Sequence, residues 1–144
     1  MHREINIEKL KTLEKDLSDT ISEIRIIIAI EEEVFLKNSK EIYALRYLLI
    51  EAVEAMANIC NHLLVRTTGQ VPKGYPDCFE KLSAAKIITE ELSGKLRKAA
   101  SLRNILIHKY GKIDDKKAFE DIKEGIRDFE AIIKEIEEFL KKHK

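Results

Sequence analysis

Proline and glycine are scarce in this chain, two and five among 144 residues. That leaves little material for the tight turns of a multi-stranded fold. Nowhere do apolar residues run unbroken for the roughly 18 positions that would cross a bilayer, so no membrane association is expected. The opening residues, Met1-His2-Arg3-Glu4-Ile5-Asn6, lack the apolar core of a secretory signal, and a cytoplasmic location is expected. Only two cysteines occur, Cys60 and Cys78, with neither CxxC spacing nor a histidine cluster beside them. They predict a pair of reduced thiols rather than a disulfide framework or a zinc site. Glycine-rich phosphate loops, Gly-x-Ser elbows and His-Glu-x-x-His patterns are absent, so no metal and no cofactor are expected. Net charge is missing as well, with 26 basic residues against 26 acidic ones.

What the chain does have is helix-forming residues in periodic order. An apolar fraction of 44% and a charged fraction of 36% describe one globular domain over residues 1–144, with a highly charged helix surface. The abundance of Ile, Glu and Lys fits a thermophilic source. Zero net charge conceals a pattern. Residues 95–117 hold eight basic and two acidic side chains, whereas residues 1–36 hold five basic and nine acidic. A positive segment in a neutral chain points to an anionic ligand at one place rather than to broad coating of nucleic acid.

Apolar spacing predicts a first long helix over residues 4–36 through Leu10, Leu13, Leu17, Ile21, Ile24, Ile28 and Phe35. A second follows over about 40–66, with Ser39 as its cap and Ile42, Leu45, Leu49, Ala52, Val53, Met56, Ile59 and Leu63 turned inward. The Gly- and Pro-punctuated tract 67–76 reads as a loop. A short helix then starts near Cys78, capped by Asp77, and ends around Ala85. A further helix covers about 88–109, closed by Gly111 as its left-handed cap. The last begins at Asp114/Asp115 and carries Phe119, Ile122, Ile126, Phe129, Ile133, Ile136 and Leu140 in alternating steps of three and four. The expected architecture is all-α, an antiparallel four-helix bundle with one extra short helix. Broad apolar stripes on the first and last helices suit a homodimer.

Within the fourth of these helices lies Arg103-Asn104-Ile105-Leu106-Ile107-His108-Lys109-Tyr110. A guanidinium, a carboxamide, an imidazole and a phenol fall within about two helical turns. Arg is suited to hold phosphate, and His titrates near neutral pH. At about 100° per residue, Asn104 and His108 share a face, while Arg103 and His108 stand roughly 140° apart. A long Arg side chain can curl toward the imidazole, and Tyr110 can bend back beside it. The cluster suits phosphodiester cleavage or nucleotide binding. Lys95, Arg97, Lys98, Lys109 and Arg46 are candidate phosphate or RNA contacts. Arg46, Tyr47, Asn61 and His62 occupy positions from which polar groups could face the motif helix, with a structural role favoured for each.

Arg103-Asn104, three apolar residues, then His108-Lys109-Tyr110 resembles the Arg-x(4)-His-x-Tyr signature of the HepT branch of the HEPN superfamily. The likeness extends to Tyr43-Ala44-Leu45-Arg46-Tyr47, Asn58-Ile59-Cys60-Asn61-His62, the Val71-Pro72 to Tyr75 loop and Gly111-Lys112-Ile113-Asp114. It covers about residues 40–140. The resemblance implies a small helical, homodimeric, metal-independent ribonuclease, acting on RNA as the toxin of a type II toxin–antitoxin pair. Its partner would be a minimal nucleotidyltransferase antitoxin of the MntA type. Arg103 and His108 would be catalytic and Asn104 supporting, with Tyr110 the residue to which the antitoxin attaches AMP. The alternative is a non-catalytic helical scaffold that binds a nucleotide or a nucleotidyltransferase through the same basic pocket.

Overall fold

The computed structural model describes residues 5–108 and 112–143. Among the described residues there are six α-helices and no strand: α1 (Ile7–Ile28), α2 (Glu32–Leu36), α3 (Ser39–Thr67), α4 (Tyr75–Ala84), α5 (Glu90–His108) and α6 (Asp115–Lys142). The four long helices form a closed ring, with α1 against α3, α3 against α5, α5 against α6 and α6 against α1. The expected four-helix architecture is present, with two short helices added rather than one.

Each long helix places its apolar stripe inside the ring. Leu10, Leu17 and Ile24 of α1, Leu49, Met56, Ile59 and Leu63 of α3, Leu96 of α5 and Ile132 and Ile136 of α6 are fully buried. Each such side chain contributes about 1.5–3 kcal/mol on leaving water. Central α3 is long and apolar enough to cross a membrane by length and composition, yet 56% of that stretch is buried inside the protein. It is the core helix of the bundle.

The first helix does not run through to residue 36. The Ala29 and Ile30 amides bond back to the Arg25 and Ile27 carbonyls, and Glu31 turns extended (φ −59°, ψ 136°). A fresh N-terminus opens there, and Glu32 and Glu33 in its first turn complement the helix dipole. The break lets Phe35 fold onto Phe119 of α6, ring centroids 4.4 Å apart. Asn38, not Ser39, caps α3 by accepting from the Glu41 amide at 3.2 Å.

Helix α4 also begins earlier than expected, at Tyr75 with Pro76 in its first turn. The chain enters through Gly74 at φ +153°, a conformation that favours glycine. Asp77 therefore lies inside the helix, and its carboxylate reaches back to accept from the Lys73 amide at 2.8 Å. That bond, with Lys81 beside it at 2.9 Å, holds the Asp77 carboxyl below its usual range. Asp114 caps α6 as expected, accepting from the Lys117 amide at 3.0 Å. The expected Gly111 cap of α5 lies outside the described residues.

The cysteines depart most from expectation. Cys60 of α3 and Cys78 of α4 form a disulfide, both fully buried, so they are not reduced thiols. Local spacing could not reveal this, because the 18-residue separation is closed by helix packing that brings the Cα atoms to 6.2 Å. The bridge ties α4 to the central helix.

Candidate active site

Helix α5 presents two faces near its C-terminal end. Leu96, Ala100 and Leu106 enter the core, while Ser101, Asn104, Ile105 and His108 are exposed in one row at spacings of three and four. Asn104 and His108 thus share a face, as their four-residue separation requires. His108 lies in the last described turn of α5 and is exposed to solvent.

Arg103 sits at the boundary between those faces. Its side chain is only 19% exposed, and its Nε is sealed from water without a hydrogen-bond partner. The guanidinium lies over the Tyr75 ring, 4.7 Å from the centroid, and meets Glu54 of α3 at 3.6 Å. One of its terminal nitrogens donates to the Asn104 side-chain oxygen at 3.1 Å. Arg103 does not curl toward His108: its polar contacts run to Asn104, Glu54 and Tyr75. The structure therefore joins Arg103 with Asn104 and sets His108 one helical turn beyond Asn104.

Two further residues complete this arrangement, Glu54 and Tyr75. Glu54 belongs to the polar stripe of α3, one turn before Asn58. Tyr75 begins α4 beside a proline. Nothing local in the sequence says that either reaches Arg103; packing of three helices decides it.

The positive segment is largely answered by neighbouring carboxylates. Lys95 lies 3.5 Å from both Asp128 and Glu91, which hold its ammonium pKa above the usual value. Arg97 faces Glu80 at 3.3 Å, Lys116 meets Glu32 and Glu120, and Lys117 meets Asp121. Arg46 forms a two-pronged bond to Asp115, at 2.9 and 2.7 Å, that pins the first turn of α6 to α3. Lys98 is exposed on the row leading toward His108. Tyr47 is exposed, its phenol pKa raised by a hydrogen bond to Glu51. Asn61 and His62 do not face α5. They line a cleft against α1 instead. Lys109 and Tyr110, and with them any approach of Tyr110 to His108, lie outside the described residues.

Among the described residues no group of three or more His, Cys, Asp or Glu side chains is placed to hold a metal ion. What the Arg103–Asn104–His108 edge offers is a fixed guanidinium, an amide and an accessible imidazole, the set of groups that can hold a phosphate and move a proton beside it.

Residues 17–136 match the family model described as "Ribonuclease HepT-like". The chain belongs to the HepT-like ribonuclease family. That membership makes it an RNA endonuclease by class. A candidate RNase of Archaeoglobus fulgidus is 29% identical over 142 residues, covering 99% of this chain and 98% of that one. The mRNA nuclease HepT of Shewanella oneidensis is 31% identical over 80 residues, covering 56% of this chain and 60% of that one. Among solved structures, the tri-AMPylated HEPN toxin of Shewanella oneidensis, in complex with its MNT antitoxin, superposes with a TM-score of 0.78 at 25% identity. The superposition covers 94% of this chain and 98% of that one. The HepT resemblance in the Arg103–Tyr110 segment thus extends to the whole fold.

Proposed function

We propose that this HepT-like protein is the toxin of a toxin–antitoxin pair and cuts RNA at the edge formed by Arg103, Asn104 and His108, without a metal ion. The observation that carries this reading is the setting of Arg103. Its Nε is buried and its guanidinium lies over Tyr75, while one terminal nitrogen meets Asn104 on the face that His108 shares and the other meets Glu54. A guanidinium so held has little freedom left to lose on meeting a phosphate.

RNA carries its own nucleophile. His108 removes the proton from the 2′-hydroxyl, whose oxygen then attacks the adjacent phosphorus while the bond to the 5′-oxygen breaks. The departing oxygen takes up a proton. Arg103 leaves Glu54, meets two phosphate oxygens and stabilises the added charge of the pentacoordinate state. Such proton transfer is typically worth ~10²–10⁴-fold in rate. In a two-fold homodimer a second His108 stands near the same cleft, so one imidazole acts as base and the other as acid.

The antitoxin of the Shewanella toxin is an MNT protein, and the toxin in that complex is AMPylated. Carried to this chain, the partner is an MntA-type nucleotidyltransferase, and Tyr110 receives AMP two residues after His108. The added group brings bulk and negative charge to the place where RNA phosphate must sit.

Incubating purified protein with single-stranded RNA and a chelator tests the reading, wild type against His108→Ala. Cleavage by wild type and none by the variant is expected. Equal background cleavage from both would overturn it and leave the scaffold reading in its place.

A further inference from the structure

A single short helix links the disulfide to the motif arginine. Tyr75, whose ring lies against the Arg103 guanidinium, opens α4, and Cys78 follows three residues later. Residues three apart share a helix face, so the ring and the sulfur turn to the same side of α4. Cys78 is bonded there to Cys60 of α3. Glu54, the carboxylate that meets Arg103, lies six residues before Cys60 on that same helix. At 1.5 Å per residue those two points of α3 are only ~9 Å apart. The bridge thus refers the Tyr75 ring to the helix that also presents a carboxylate to Arg103.

The chain leading into α4 gives its first turn little support. Residues 68–74 are all exposed except half-buried Pro72. The Gln70 amide donates to the Thr68 hydroxyl and the Lys73 amide to the Asp77 carboxylate, bonds that stay within this segment and the helix it enters. At ten residues α4 is also shorter than the ~12–15 that a helix needs to persist alone in water. Beyond Cys78, Phe79 and Leu82 pack into the core, and the Phe79 carbonyl accepts from the buried Ser93 hydroxyl of α5 at 3.0 Å. Apolar packing is non-directional, and the Ser93 bond anchors the middle of α4 rather than its start.

Arg103 relies on the ring at that start. Its buried Nε has no hydrogen-bond partner, and the attraction of a cation to an aromatic face is lost beyond about 6 Å from the centroid. A ring that drifted away would admit water to the Nε and free the guanidinium to swing.

We propose that the Cys60–Cys78 disulfide is a positioning element of the active edge. By fixing the first turn of α4 to α3, it holds the Tyr75 ring in place and so presets the Arg103 guanidinium for phosphate. Cys60 and Cys78 are positioning residues, acting through Tyr75, and neither meets the substrate. This rests on Arg103 lying at the cleavage site, but the first measurement reads Arg103 itself and not cleavage.

The Arg103 Nε–H signal is followed by NMR in the wild type and in Cys60→Ala/Cys78→Ala. In the variant it is expected to exchange with water faster and to lose the ring-current shift of Tyr75, while amide signals of α1 and α6 stay in place. RNA cleavage per folded molecule should fall by about 3- to 10-fold, the worth of the cation–aromatic contact. In a Tyr75→Leu background, removing the bridge should cost no further activity, because the two losses share one route. Cys60→Val/Cys78→Ala refills apolar volume without restoring the link; it should behave like the alanine pair, and it carries the test if that pair does not fold. An unchanged Arg103 signal in a folded variant, recovery of activity with Cys60→Val, or additive losses with Tyr75→Leu would each overturn the positioning role. Failure of wild-type protein to cut RNA would instead overturn the proposed function, and the Arg103 signal would still decide the role of the bridge.

Discussion

The guanidinium of Arg103 lies 4.7 Å from the centre of the Tyr75 ring, so the first residue of one helix holds a motif residue of another. A cation over an aromatic face gains about 0.5–2 kcal/mol, more as water is excluded. Tyr75→Leu should therefore lower RNA cleavage by roughly 3- to 10-fold through misplacement of Arg103, whereas Tyr75→Phe keeps the ring and most of the activity. Steady-state kinetics on both variants check this, and equal loss in the two would point to the hydroxyl instead.

His108 is exposed and makes no contribution to the core, so His108→Ala should fold as the wild type does while losing ~10²–10⁴-fold in cleavage. Circular dichroism and a rate measurement on the same sample separate the two effects. Arg103→Ala differs in kind, because it leaves the Tyr75 face and Glu54 without their cation as well as removing the phosphate contact.

Tyr110→Phe keeps the ring and removes the oxygen that would accept AMP. Cleavage should remain near wild type, and co-expressed nucleotidyltransferase should no longer silence it. Growth assays with and without the antitoxin give the answer. Continued silencing would mean that Tyr110 is not the modified residue.

The Cys60–Cys78 bridge closes a loop of 18 residues between α3 and α4. On chain-entropy grounds such a loop stabilises by about 3 kcal/mol. The Cys60→Ala/Cys78→Ala double variant should lose approximately that amount in denaturant unfolding. A strong reductant applied to wild type should produce a similar loss once both sulfurs are free.

Glu14 is buried between α1 and α6, and its carboxyl is pushed up to about 7, first by burial and then by its hydrogen bond to Glu137, against the opposing pull of Lys11. The native state thus holds a proton on Glu14 that the unfolded chain releases near pH 4.5. Between those two values the folded protein binds more protons, so this group's contribution to stability falls as pH rises from about 4.5 to about 7 and is level above. Glu14→Gln keeps the neutral, hydrogen-bonding shape without the ionisation. Its melting temperature should exceed wild type at pH 8 and match it near pH 4.5. A pH-independent difference between the two proteins would contradict the assignment.

Much of the bundle is legible because helical burial is periodic. The α6 stripe from Phe119 to Leu140 lies in or against the core, and its one omission, fully buried Ile132, sits beside half-buried Ile133 on the same broad face. The break at residues 29–31 was hidden because Phe35 continues the apolar rhythm of α1 while belonging to a separate turn. Pairing between distant elements is not periodic, which is why the disulfide, the Arg46–Asp115 fork and the Glu54–Arg103–Tyr75 stack escape a reading along the chain. The positive segment misled in a similar way. Counting Lys95, Arg97, Lys116 and Lys117 along one stretch overlooks Asp128, Glu80, Glu32 and Asp121, which meet them from elsewhere on the chain or the next turn of helix.

Glu54 gives the motif arginine an occupant of its own. Anion capture at this edge is consequently an exchange, in which the newcomer must outbid a tethered carboxylate already at arm's length. Chloride, with a single centre of charge, has little to offer the flat guanidinium fork. A phosphodiester presents two oxygens at once, and the resident acid thereby filters weak competitors from the site before any bond is cut.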